Sequence, residues 1–132
     1  MAFRLVLDKL AWVHLDRRRL LVTRNHDRTV FYFPGGRREP GETDEQALVR
    51  EIDEELRVAV LGSTMRHFRT YDVGAPGGGV ARMTCYFAEH RGEFRPDNEI
   101  AELAWVRAGD RERLGPIDQL VLDDLHAAGH LD

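Results

Sequence analysis

A chain of 132 residues and 15.2 kDa has room for one domain with its own core. Its 42% hydrophobic and 32% charged residues are those of an ordinary soluble globular protein, neither disordered nor membrane-embedded. A net charge of −4 argues against a general nucleic-acid-binding surface, so no nucleic acid polymer is expected as a partner.

The apolar opening, Phe3 to Val13, is interrupted by Arg4, Asp8 and Lys9. It is too short for a membrane span and lacks the unbroken core of a signal peptide, so a cytoplasmic protein with no membrane partner is expected. Residues 4–14 instead read as a strand, with Leu5, Leu7 and Val13 in the core. The charged run Asp16 to Arg19 predicts a solvated turn into a strand over Leu20 to Thr23. A third strand is predicted from Thr29 to Phe33, stopped by Pro34-Gly35-Gly36.

Thr43 to Leu56 predicts a helix, with Thr43 as N-cap and Asp44 and Glu45 in the first turn, where negative charge suits the dipole. Further strands fit residues 58–70, 80–89 and 103–107. The glycine-rich stretch between the first two, Gly74 to Gly79, lacks a Gly-Lys-Ser/Thr ending and reads as a hairpin loop, with a substrate flap as the alternative, rather than a P-loop. Gly115-Pro116 opens a last helix, with Ile117, Leu120, Val121 and Leu125 facing the core and Gly129 as its stop. Cys85 is the only cysteine, so no internal disulfide can form and a reducing compartment is the simplest home. The six histidines are dispersed without paired spacing, which argues against a zinc site. Lys9 is the only lysine, every other basic residue being arginine. That bias fits either phosphate and carboxylate recognition or the habits of the source genome.

The chemistry concentrates on the first helix. At about 100° per residue, Glu51, Glu54 and Glu55 fall within a wedge roughly 100° wide. Leu48, Val49, Ile52 and Leu56 occupy the adjoining apolar sector. Glu51 and Glu55, one turn apart, are like charges at a destabilising spacing, and desolvation at a core edge makes them worse. A divalent cation reverses that sign, because hard oxygen ligands suit Mg²⁺ or Mn²⁺. Phe33-Pro34-Gly35-Gly36 and Glu42 precede the helix, adding close backbone approach and a fourth acid.

Gly36, five residues, Glu42, seven residues, then Arg50-Glu51-Ile52-Asp53-Glu54-Glu55 and finally Val58 resembles the Nudix box of the Nudix, or MutT-like, hydrolases. The one departure is Arg57, where the family has a glycine that helps end the helix. Either an arginine takes the left-handed conformation there, at a cost on the order of 1 kcal/mol, or the helix stops differently.

The resemblance implies an α/β fold: an α/β/α sandwich with a mixed β-sheet flanked by helices, as one domain over residues 1–132. It implies hydrolysis of a pyrophosphate bond in a small nucleoside di- or triphosphate derivative with Mg²⁺ or Mn²⁺. Glu51, Glu54 and Glu55, joined by the carbonyl of Gly35, are the implied metal ligands, and Glu51 is a candidate base. Arg50 is expected to orient these acids, with Glu42 supporting them. Arg24 and Phe33 are candidates for substrate contact, each with the alternative of a strand-end arginine or a core aromatic. Tyr32 and Trp105 carry the same choice. Of Glu99 and Glu102, either can be a further site acid or a solvated loop residue. A non-catalytic Nudix domain that binds and senses a nucleotide is the competing reading, but such domains tend to have lost box acids that are all present here. Homodimers are common among relatives, and nothing in the sequence demonstrates one.

Overall fold

The computed structural model describes residues 4–132; Phe3, the first residue of the apolar opening, lies outside them. Nine strands and two α-helices follow in the order β1 (Leu5–Val13), β2 (Leu15–Asp16), β3 (Arg19–Asn25), β4 (Gly35–Arg37), α1 (Asp44–Leu56), β5 (Ala59–Val60), β6 (Arg66–Gly74), β7 (Val80–Phe87), β8 (His90–Arg91), β9 (Ile100–Val106) and α2 (Pro116–Ala127). The main sheet has the order β4-β1-β7-β6, in which β1 and β7 run parallel and the outer pairs are antiparallel. A second sheet, β2-β3-β9, and a small β5-β8 pair complete the strands.

Alternation along β1 and β3 explains the layering. Ala11, Val13, Leu20 and Val22 enter a core with Val121, Leu122 and Leu125 of α2. Leu10, Trp12 and Leu21, which point the other way, enter a second core with Leu48, Ile52 and Leu56 of α1. Strands buried on both faces need a helix on each side. The result is a mixed sheet flanked by helices, the expected α/β sandwich.

The core is placed further along β1 than expected. Leu5 is 38% exposed and Leu7 only half-buried, whereas Leu10, Ala11 and Trp12 are fully enclosed. On α2, Leu120 is exposed and Leu122 takes its place. The strand predicted over Thr29 to Phe33 is absent, with only isolated bridges at Phe31 and Tyr32, and the strand that forms is Gly35–Arg37. The reason lies in side chains. Phe33 donates its N–H to Asp118 Oδ1 at 2.8 Å and its carbonyl accepts from Lys9 Nζ at 2.7 Å, so its backbone groups are not free for a ladder. The strand expected over 58–70 is split by a 3-10 turn at Gly62–Thr64. The turn at Arg17 and Arg18 forms as expected, both residues adopting positive φ.

Helix α1 begins at a full capping box. Thr43 Oγ1 accepts from the Gln46 N–H, and Gln46 Oε1 accepts from the Thr43 N–H. It ends at Arg57, whose φ of 56° and ψ of 34° are left-handed. Replacing Arg57 with glycine, which adopts this conformation without a Cβ penalty, is expected to raise unfolding free energy by about 1 kcal/mol. Urea denaturation checks this; an unchanged or lower stability contradicts it.

Candidate active site

Two glycines bring the strand after the loop against both β1 and α1. Gly35 pairs with Ala11 and Gly36 with Leu10. At Gly35, where φ is 143°, a Cβ would lie 2.0 Å from the Leu10 carbonyl oxygen. At Gly36 a Cβ would lie 2.4 Å from Glu51 Cδ. The missing side chains are therefore the space that the backbone of β1 and the carboxylate of Glu51 occupy.

Glu51 and Glu55 approach this glycine turn from α1, and Glu99 reaches them from the segment before β9. Oxygens of the three carboxylates lie within 4.8 Å of one another. Glu99 is placed by backbone hydrogen bonding at the far end of α1. There the Glu54, Glu55 and Leu56 carbonyls accept from Asn98 Nδ2 at 2.6 Å, the Asp97 N–H at 2.9 Å and the Arg95 N–H at 2.9 Å. The unpaired carbonyls of a helix end thus hold the loop that delivers the third acid.

Glu55 is 4% exposed, and among the described residues its carboxylate accepts one hydrogen bond, from the Gly35 N–H at 3.2 Å. Burial pushes its carboxyl up to about 8, against the opposing pull of the Lys9 ammonium, with Glu51 and Glu99 adding to the rise. Burial likewise raises Glu51, countered by Arg50. Arg50 binds both oxygens of Glu42, at 2.7 and 2.8 Å, and donates to Glu51 Oε1 at 3.0 Å and to the Arg37 carbonyl at 3.0 Å. Its hydrogen bonds hold Glu42 down at about 2. Arg50 is thereby a cross-brace between the loop acid, the helix acid and β4.

Glu54 stands apart from the trio. Its side chain is 47% exposed and lies 3.5 Å from Arg50 Nη1. Arg24 pairs with Glu102 at 2.9 Å and donates to the Arg28 carbonyl, bracing the loop beside the cleft. Glu102 is thus an ion-pair partner on the strand, and Glu99 is the acid that joins the cluster. Phe33 needs correction as a substrate contact: it is 1% exposed and packed in the α2-side core, with no ring face free. Its neighbour Tyr32 lines the cleft instead. Trp105 packs against His14 and Phe94.

The cleft containing the three acids measures about 390 Å³, with Lys9, Arg28, Arg37 and Tyr32 on its walls. A larger hollow of about 750 Å³ opens around His14 and His90. It contains none of the clustered acids, so chemistry and not size selects the smaller one. Three carboxylates converging at a backbone turn form an all-oxygen donor set of the kind hard divalent cations take.

The chain belongs to the Nudix family: the family model of the NUDIX domain matches residues 10–125. No curated protein matches the sequence at a significant level. Among solved structures it is similar to the ORF135 protein of E. coli, at 22% identity and a TM-score of 0.78, covering 95% of this chain and 94% of that one. A MutT NUDIX hydrolase from Burkholderia pseudomallei gives 21% identity and a TM-score of 0.73, covering 89% and 95%. The bifunctional NMN adenylyltransferase/ADP ribose pyrophosphatase of Francisella tularensis gives 14% and 0.75, covering 97% of this chain and 43% of that one. At these identities the likeness is one of fold.

Two glycine variants separate backbone fit from carboxylate fit. Gly35→Ala meets a backbone oxygen and is expected to cost at least about 3 kcal/mol in stability. Gly36→Ala meets only the movable end of Glu51, so stability should change by less than about 1 kcal/mol while Mn²⁺ affinity falls at least about tenfold. Chemical denaturation and a Mn²⁺ titration measure both; equal effects on stability contradict the account.

Glu55 makes a pH prediction for the metal-free protein. Its folded pKa of about 8 exceeds the ordinary 4.5, so the folded state holds a proton that the unfolded state releases. Stability in EDTA should fall as pH rises from about 4.5 to about 8. Glu55→Gln should flatten that dependence in melting curves; an unchanged slope contradicts it.

Proposed function

We propose that this protein hydrolyses a pyrophosphate bond in a small nucleoside di- or triphosphate derivative, using Mg²⁺ or Mn²⁺. The observation that carries the reading is the meeting of Glu51, Glu55 and Glu99 at the Gly35-Gly36 turn, with one of the acids buried. Uncompensated, such a group is costly; with a divalent cation it is a binding site. The name of the Francisella structure, a pyrophosphatase complexed with AMP and a manganese ion, supports the same choice of ligand chemistry. No helix among the described residues is long and apolar enough to cross a membrane.

In this reading Glu51, Glu55 and Glu99 hold the ion, with Glu54 at the solvent side and the Gly35 carbonyl as a further oxygen donor. When bound, the cation neutralises pyrophosphate oxygens and lowers the pKa of a water. Glu51 is the candidate base that takes the proton from the attacking water. Arg50 keeps Glu51 and Glu42 in fixed orientation, so the carboxylates need not reorganise when substrate arrives. Water attacks phosphorus, the bridging P–O bond breaks, and a nucleoside monophosphate leaves with pyrophosphate or a second phosphate ester. Phosphoryl transfer asks chiefly for positioning and charge stabilisation, which this arrangement of residues supplies.

The test is a chromatographic product screen, for nucleoside monophosphate with pyrophosphate or a second phosphate ester, over nucleoside triphosphates, oxidised nucleotides, ADP-ribose, dinucleotide polyphosphates and nucleotide sugars, with and without Mg²⁺ or Mn²⁺. Turnover of at least one class should require the metal. Glu55→Gln and Glu54→Gln should each lower kcat, the buried Glu55 by about 100-fold or more. Tight nucleotide binding without metal-stimulated release, or wild-type rates in the Glu55 variant, contradicts the proposal.

A further inference from the structure

The same cleft carries cations that the acid cluster leaves unused. Lys9 on β1 and Arg37 on β4 are directly paired across the antiparallel ladder, and both line the cleft. Side chains paired in this way stand on one face of the sheet, with Cβ atoms about 5 Å apart, and like charges there are destabilising. The register is not free to relieve this, because Gly35 must lie against the Leu10 carbonyl for β4 to pair at all. Among the described residues neither cation has a carboxylate in ion-pair contact. Lys9 Nζ donates to the Phe33 carbonyl at 2.7 Å and lies 5.8 Å from the Tyr32 ring centroid. Its ammonium acts on Glu55 and Asp118 only at longer range. Arg37 is anchored through its backbone, whose carbonyl accepts from Arg50, and its guanidinium stays exposed.

Lysine at position 9 is itself informative, since every other cation in the chain is arginine. An ammonium is a compact charge with three donors, of which the Phe33 carbonyl uses one, leaving two for a ligand in the cleft. Arginine opposite it offers a planar fork suited to two oxygens of one phosphate. We infer that Lys9 and Arg37 together form a phosphate clamp that binds a phosphoryl group of the substrate's di- or triphosphate chain. Arg28, also on the cleft wall, adds charge at the rim. The proposal rests on the hydrolase reading above for what the substrate is, and on the cross-strand pair for where its phosphate goes. A bound phosphate turns the unfavourable cation pair into two favourable contacts, as a metal ion does for the carboxylates.

The experiment measures binding apart from turnover. Inorganic pyrophosphate is titrated calorimetrically into wild type, Lys9→Met, Arg37→Met and Lys9→Arg at fixed Mn²⁺. Mn²⁺ binding without pyrophosphate is followed separately by electron paramagnetic resonance. Each methionine variant should weaken pyrophosphate binding about tenfold or more, with Mn²⁺ affinity within threefold of wild type in Arg37→Met, and Lys9→Arg should recover part of the loss in Lys9→Met. KM for the hydrolysed nucleotide should rise with the pyrophosphate Kd. Arg37 is an exposed residue, so its variant reports even if Lys9→Met disturbs the Phe33 turn. Pyrophosphate binding and KM within twofold of wild type in a folded Arg37→Met overturn the clamp and leave the hydrolase reading intact. If wild type hydrolyses no nucleotide to the monophosphate but Arg37→Met still loses pyrophosphate, the clamp stands and the hydrolase reading falls.

Discussion

A carboxylate enclosed in the protein beside two others is the constraint around which this structure is arranged. Glu55 is nearly inaccessible, and among the described residues its carboxylate receives a single hydrogen bond, from Gly35. The neighbouring groups make sense in relation to it. Gly35 is there because no side chain fits between its Cα and the Leu10 carbonyl. Arg50 draws Glu42 and Glu51 into order, and the loop before β9 is pinned to the helix end so that Glu99 completes the set. In the metal-free state a proton on Glu55 eases the crowding of the three carboxylates, and in the proposed reading a cation takes its place. Buried charge of this kind is weak evidence for stability and stronger evidence for a ligand.

Much of this could be read in the linear chain because it is local. The wedge formed by Glu51, Glu54 and Glu55 follows from helical pitch, and the helix start from Thr43 as N-cap. At Arg57 the sequence allows a left-handed arginine or a different helix stop, and the backbone takes the first. What could not be read depends on contacts distant in sequence. Glu99 and Glu102 are equivalent by composition; only the docking of Asp97 and Asn98 on α1, and the pairing of Arg24 with Glu102, separates them. Phe33 looked available because aromatic strand residues face either way, and Asp118, 85 positions later, fixes it inward. Glu54 shares the acidic wedge but falls on its solvent side, a difference of one helical position that burial alone decides.

The cations follow the same logic on the opposite wall. A β-ladder register set by glycine packing brings Lys9 and Arg37 side by side, as the pitch of α1 brings Glu51 and Glu55 together. Each pair is unfavourable by itself, and each is satisfied by a charge of the other sign. In the proposed reading, a metal-bound diphosphate brings both charges in one ligand. That complementarity, acids on the helix side and cations on the strand side of one 390 Å³ cleft, ties the fold to the proposed substrate class.

The most direct test is a crystal soaked with Mn²⁺ and examined by anomalous scattering. The account predicts a peak bonded to oxygens of Glu51, Glu55 and Glu99 beside the Gly35-Gly36 turn. A well-ordered crystal with no peak there, or with manganese held elsewhere while those three side chains keep their positions, would contradict it.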